Sequence, residues 1–259
     1  MKILEGAESF QKHDYAVVTI GTFDGVHIGH QEILSKIVRQ AKDNNGVSVV
    51  VTFWPHPRFV LQGVEESGLK LLSTFDEKAG NLADQGIDYL IKIPFTKEFA
   101  QTTSDTFIKQ ILIDQIGTTH LVIGYDHHFG KNREGSFDYI QANIDDYGFT
   151  LQEIPRQDID DVGVSSTKIR KALYDGAVDI ASAYLGKNYS FRGTVVHGKK
   201  LGRKLGYPTA NISLAESYKL IPANGIYAVK LSVTGRTAYG MLYIGFKPTL
   251  SGDSAQVIE

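Results

Sequence analysis

Between Ile20 and His30 the chain reads IGTFDGVHIGH, which puts three glycines, an aspartate and two imidazoles into one short stretch. Glycine lets backbone approach a partner closely, and imidazoles three residues apart on a helix meet one object. If the preceding YAVVTI is a strand and a helix begins near Gly29, the stretch is a turn at a strand's carboxyl end. Open α/β sheets bind ligands there, and the unpaired N–H groups of a helix start favour an anion, phosphate above all. Gly21, Phe23, Asp24 and Gly29 are therefore candidate contacts to a nucleotide, with His27 and His30 as donors to its phosphates. Neither G-x-x-x-x-G-K-[ST] nor G-x-G-x-x-G is present, and a zinc reading of His27-x-x-His30 lacks further ligands and the H-E-x-x-H pattern. For an isolated pair, the simpler reading is that His30 caps or packs the helix start.

Two other stretches keep the pair from being isolated. HLVIG runs into YDHHFGKNREG, where Asp126 is placed to meet a ribose or base, while His127 and His128 read as surface residues. VGVSSTKIRKAL sets Ser165, Ser166 and Thr167 before a helix carrying Lys168 and Arg170. Structurally that is an N-cap; functionally it is a second helix start aimed at phosphates, with Arg170 as a cationic fork.

The elements that must position these residues follow from periodicity. From Tyr15 to about Ile154 the apolar runs YAVVTI, VSVVVTFW, YLIKI, HLVIG and FTLQEI alternate with helical segments, and Ile33, Leu34, Ile37, Val38 and Ala41 repeat at helical spacing. Wholly apolar strands alternating with helices predict a doubly wound parallel sheet, in strand order 3-2-1-4-5, with the first turn and YDHH across the switch point. After about Gly186 short runs such as FRGTVVHG, GIYAVKLSV and AYGMLYIG, broken by Gly, Pro and Asn, predict a mostly antiparallel β-barrel. The expected domains are 1–186 and 187–259, meeting near Tyr184–Tyr189. The final SAQVIE reads as an unfinished strand, so the natural chain is expected to continue.

The 259 residues, 42% hydrophobic, suffice for two cores. Cysteine is absent and no run of about 18 apolar residues occurs, which suits a soluble, cytoplasmic protein with no membrane partner. A net charge of −2, from 27 basic and 29 acidic residues, argues against nucleic acid, even at the Lys199–Lys204 cluster.

Taken together, G-x-F-D-G-x-H-x-G-H and the downstream S-S-T-x-I-R resemble the HxGH nucleotidyltransferases. TFWPHP (Thr52–Pro57) narrows the resemblance to the adenylyltransferase half of the bifunctional riboflavin kinase/FAD synthetases. GTVVHGKKLGRKLGYPTANI and PANGIYA are similar to that family's kinase module. The resemblance implies two reactions: ATP plus FMN giving FAD and pyrophosphate, and ATP plus riboflavin giving FMN and ADP, with Mg²⁺ in both. It implies His27, His30 and Arg170 as catalytic residues of the first, with Ser166 and Thr167 on the pyrophosphate. Phe53, His56, Pro57 and Arg58 then lie near FMN. For the second reaction it implies Glu259 as general base, Thr209 and Asn211 on Mg²⁺ and ATP, and a flap Gly198–Gly206 with Gly198, Lys199 and Gly202 over the nucleotide. Tyr243 in YIGFKPT departs from the family's asparagine, and, if the natural chain stops at Glu259, an active adenylyltransferase with a crippled kinase is expected. Other expectations are a flavin- or nucleotide-binding regulator without catalysis, and another HxGH adenylyltransferase, which would lack the PTAN barrel.

Overall fold

The computed structural model describes residues 1–124, 128–154, 158–159, 162–197, 206, 209–246 and 256–259, with backbone alone at 158, 159 and 162. Asp126, His127, Gly198, Lys199 and Gly202 lie outside the described residues. Two compact units divide at Ser166/Thr167, which assigns residues 167–186 to the second unit instead of the first.

The first unit holds strands β1 (Lys2–Glu5), β2 (Ala16–Ile20), β3 (Val47–Trp54), β4 (Tyr89–Pro94), β5 (His120–Gly124) and β6 (Thr150–Ile154). Between them run helices α1 (Ile28–Asp43), α2 (Pro57–Gln62), α3 (Phe75–Asp84), α4 (Ser104–Phe107), α5 (Phe137–Ala142) and α6 (Ile144–Tyr147). The wider-wound stretch Ile108–Ile116 continues α4. All six strands form one parallel sheet in the order β1-β4-β3-β2-β5-β6. The order of the five expected strands is the one predicted; β1, whose four residues are too few to show a period, adds an edge beside β4.

Both faces of the sheet are covered, and the two-residue alternation of a strand divides its side chains between them. Val18, Val49, Val51, Ile91, Leu121 and Ile123 pack against Ile108, Leu112 and Ile116. Their neighbours Val17, Val50, Leu90 and Val122 pack against Leu34, Ile37 and Ala41 of α1 and Leu82 of α3. Burying each such aliphatic side chain contributes roughly 1.5–3 kcal/mol, which is why the strands read as unbroken apolar runs. A capping box starts α3: Thr74 accepts from the Glu77 N–H and the Glu77 carboxylate accepts from the Thr74 N–H. A two-strand antiparallel pair, β7 (Asp158–Ile159) with β8 (Val162–Gly163), completes the unit.

The second unit carries α7 (Ser166–Tyr174, its first residue in unit one), α8 (Val178–Leu185), β9 (Thr194–Val196), β10 (Asn211–Ser213), β11 (Gly225–Val233), β12 (Arg236–Phe246) and β13 (Gln256–Ile258). β11 and β12 form a hairpin around Thr234-Gly235, both at positive φ (47° and 78°), the primed turn that matches strand twist. Leu242, Ile244 and Ile258 form its core with Ile212, Tyr227 and Val229. Among the described residues the strands pair as two antiparallel sheets, β9-β10 and β11-β12-β13, not as a closed barrel.

Candidate active site

The order of strands reverses between β2 and β5, and the GTFDGVH turn leaves β2 at that point. Its backbone is strained: Phe23 and Val26 sit at φ 47° and 45°, a region that side-chain-bearing residues avoid, a β-branched one most of all. Packing holds it, because both side chains are buried against α1 and the sheet. Polar ties add to this: Gln31 Nε2 donates to the Val26 carbonyl at 2.8 Å, and Ser166 Oγ donates to the Asp24 carbonyl at 3.0 Å. Gly21 is required by space, since a Cβ there would stand 2.9 Å from the Phe23 ring.

The turn ends in His27, the N-cap of α1, whose Nδ1 accepts the His30 N–H at 3.4 Å. That bond places the proton of neutral His27 on Nε2, making the far end of the ring a donor. The rings of His27 and His30 stack at 3.6 Å and 16°, and the His30 ring meets the edge of Phe23 at 5.0 Å. Rings lying face to face do not converge two nitrogens on one metal, so the zinc reading loses its geometry. His30 Nδ1 is buried without a hydrogen-bond partner. Burial, then His27 and Lys78, hold the His30 imidazole well below its ordinary pKa, which favours its neutral form. The first intrahelical bond is Gln31 N–H to the His27 carbonyl, so the N–H groups of Ile28 and Gly29 have no partner within the helix. Two imidazoles, two N–H groups and the positive end of a 16-residue helix form an arrangement that suits an anion.

Asp24, expected at the nucleotide, also ties the turn to the rest of the unit. It is 5% exposed, and its two carboxylate oxygens accept the Leu72 and Ser73 N–H groups at 3.0 Å each, tying the turn to the segment that leads into α3. The TFWPHP residues also have local work. Phe53 is buried among Phe95, Phe99 and Phe107. His56 caps α2 by accepting the Arg58 N–H at 3.2 Å, Pro57 occupies the first turn, and the Arg58 guanidinium donates to the Ser67 carbonyl. His128 is exposed, as its surface reading requires. Ser166 opens α7 inside the helix, one residue later than an N-cap, with Thr167 exposed and Arg170 half-buried along it.

In the second unit Thr209, Asn211 and Glu259 come together. Thr209 Oγ1 donates to Glu259 Oε1 across more than forty residues of chain, and Asn211 opens β10. Glu259 extends the β12–β13 ladder: its N–H donates to the Tyr243 carbonyl at 2.9 Å and its carbonyl accepts from the Tyr243 N–H at 2.7 Å. Tyr243 anchors Glu259 through backbone atoms, which any residue type supplies, so its departure from the family pattern leaves this register intact.

The family model for FAD synthetase matches residues 9–168, and that for riboflavin kinase matches residues 185–259. A bifunctional riboflavin kinase/FMN adenylyltransferase of Listeria monocytogenes is 37% identical, the match covering 94% of this chain and 76% of that protein. The chain belongs to the bifunctional riboflavin kinase/FMN adenylyltransferase family. The relative in Pseudomonas fluorescens is 35% identical over 100% of this chain and 82% of its own length, and that of Escherichia coli K12 is 34% identical over 99% and 82%. A solved structure described as a macrolide-efflux protein from Streptococcus pneumoniae has TM-score 0.85 and 27% identity, covering 100% of this chain and 83% of that one. That description belongs to that protein; among the described residues here no helix is long and apolar enough to cross a membrane. The family resemblance read from the motifs is thus borne out over both halves, and another HxGH enzyme without the second module does not account for the pair of matches.

One residue near this site escaped the sequence reading. Lys78 of α3 is 3% exposed; its Nζ donates to the Thr22 carbonyl at 3.2 Å and to Thr52 Oγ1 at 2.9 Å, and lies 5.2 Å from the centre of the Trp54 ring. The signal was legible as a lysine at a helical spacing shared with Phe75, Ala79 and Leu82, on the apolar face of FDEKAGNLAD.

Proposed function

We propose that the first unit transfers AMP from ATP to FMN and that the second phosphorylates riboflavin, the two steps from riboflavin to FAD. The observation that carries the first reading is the stacked His27–His30 pair at the start of α1, an anion cradle at the switch point of the sheet. An FMN phosphate oxygen is already nucleophilic, so the reaction needs orientation and charge stabilisation in place of a protein nucleophile. As that oxygen bonds to the α-phosphorus and the bond to the β-phosphate oxygen breaks, negative charge grows on the α-phosphoryl oxygens and on the departing pyrophosphate. The His27 Nε2–H and the Ile28 and Gly29 N–H groups serve the first; Ser166, bonded to the turn, serves the second, a role that the family resemblance implies for Thr167 and Arg170 too. Gly21, Phe23 and Gly29 shape the ATP side of the turn, and Phe53, His56, Pro57 and Arg58 line the FMN side.

In the kinase half, Glu259 takes the proton of the riboflavin hydroxyl as that oxygen attacks the γ-phosphate. The hydroxyl of Thr209 and the amide oxygen of Asn211 are hard oxygen donors that would suit Mg²⁺, an ion that takes few protein oxygens and completes its shell with water and substrate phosphates. Mg²⁺ supplies charge screening on the phosphates. Among the described residues no group of three or more His, Cys, Asp or Glu gathers to hold a metal without substrate. A cytoplasmic setting without nucleic-acid or membrane partners suits a cysteine-free chain of net charge −2.

Incubation with ATP, Mg²⁺ and FMN, followed by detection of FAD and pyrophosphate, tests the first reaction. Replacing both His27 and His30 by alanine is expected to slow it by more than the ~10²–10³ of one lost oxyanion donor. FAD formation at the parental rate overturns the assignment.

A further inference from the structure

We propose that Lys78 is a positioning residue for adenylyl transfer: it ties the GTFDGVH turn to the tip of β3 and holds a positive charge beneath the His27–His30 pair. This rests on the adenylyltransferase reading above and adds to it a residue that makes no covalent step. Lysine is almost never fully buried without an anionic partner. Here both hydrogen-bond acceptors, the Thr22 carbonyl and the Thr52 hydroxyl, are neutral, and among the described residues no carboxylate lies within ion-pair distance of Nζ. The Trp54 and Phe75 rings flank the ammonium at 5.2 and 5.5 Å, so cation–π attraction replaces part of the lost hydration. A methionine would fill the same apolar space without a desolvated charge, so packing alone does not explain a lysine here.

The place of the charge does explain it. Thr22 precedes Phe23, whose ring abuts His30, and Thr52 lies near the carboxyl end of β3, so one ammonium links two walls of the cradle. Shielded from water, its field reaches the anion site undiluted. The charged and titratable groups that face it are Asp24 from the turn, Lys92 from β4, and His30 and His27 from α1; Glu77, beside it on α3, accepts from the Thr74 N–H. Burial, partly offset by Asp24 and reinforced by Lys92, lowers the Lys78 pKa to about 8. In the free enzyme the charge is therefore complete below that pH and lost above it, and a bound triphosphate shifts the loss to higher pH.

Adenylyl transfer from ATP to FMN is to be followed between about pH 6 and pH 10 for the unaltered chain, K78M and K78R. For the unaltered chain the expected result is an alkaline fall in kcat/KM near 8, displaced upward in kcat. K78M is expected to lose roughly tenfold to a hundredfold in kcat at neutral pH, with the KM for ATP moving less than about threefold, and to lack the alkaline fall. K78R keeps the charge throughout, so it recovers part of the rate and removes the fall. The inference is overturned by K78M turning over within about twofold of the parent, or by a kcat/KM of the unaltered chain that is flat through pH 8. If K78M does not fold, by circular dichroism, K78R decides: a fall near 8 that persists in K78R sinks the proposal. Absence of FAD formation by the unaltered chain is instead the failure of the adenylyltransferase reading, and the inference falls with it.

Discussion

His27 combines two tasks in one ring if the proposed reaction holds: Nδ1 caps α1, and Nε2–H serves as a donor to phosphate. Asparagine places an acceptor where Nδ1 stands and ranks among the best N-caps, yet it has nothing at the position of Nε2. H27N is therefore expected to keep the melting temperature of the parent while adenylyl transfer falls by ~10²–10³. Thermal unfolding and FAD formation measured on the same preparation check it, and retention of activity by H27N would reduce His27 to a cap. The asymmetry of the pair has the same root, since His30 carries a buried Nδ1 with no partner while His27 spends its own on the helix. H-x-x-H was visible in the chain; that His27 Nδ1 is used by the helix start was decided by the cap bond from the His30 N–H.

The turn between β2 and α1 depends on its neighbours for its shape. Two non-glycine residues at positive φ are held there by buried side chains, and Asp24 stitches the turn to the Leu72–Ser73 segment. Removal of that carboxylate leaves two buried N–H groups without acceptors, at a cost of about 1–3 kcal/mol for each. D24A is accordingly expected to lose roughly 2–6 kcal/mol of stability in urea unfolding, and D24N about half of that, because one amide oxygen still accepts. A D24A protein with unchanged stability and a raised KM for ATP would return Asp24 to the nucleotide. From sequence the aspartate stood in a phosphate-binding turn, which suggested the ligand; its real acceptor role depends on residues nearly fifty positions away, beyond the reach of any local pattern.

The molecule divides into two units, one built on a parallel sheet and the other on antiparallel pairs. If each unit performs its own reaction, damage to one site spares the other. E259Q keeps a hydrogen-bond acceptor opposite Thr209 but no longer takes a proton, so riboflavin phosphorylation is expected to fall by ~10²–10⁴. FAD formation from supplied FMN is expected to stay within about twofold of the parent. Separate assays with riboflavin and with FMN as the starting flavin check this, and a joint loss would mean that the two halves act as one catalytic body.

The sequence alone determined the alternation of strands and helices, the order of the five main strands and the family, because these follow from periodicity and from motifs within a few residues of one another. It also put two imidazoles and a helix start at the first turn. Tertiary structure alone decided the edge strand β1, the stacking of the two imidazoles, the diversion of Asp24 to backbone donors and the burial of Lys78. In each case the deciding partner lies on another element or across a packed turn. Desolvation, which sets the cost of a buried charge and the proton on a ring, exists only once those elements have closed around it.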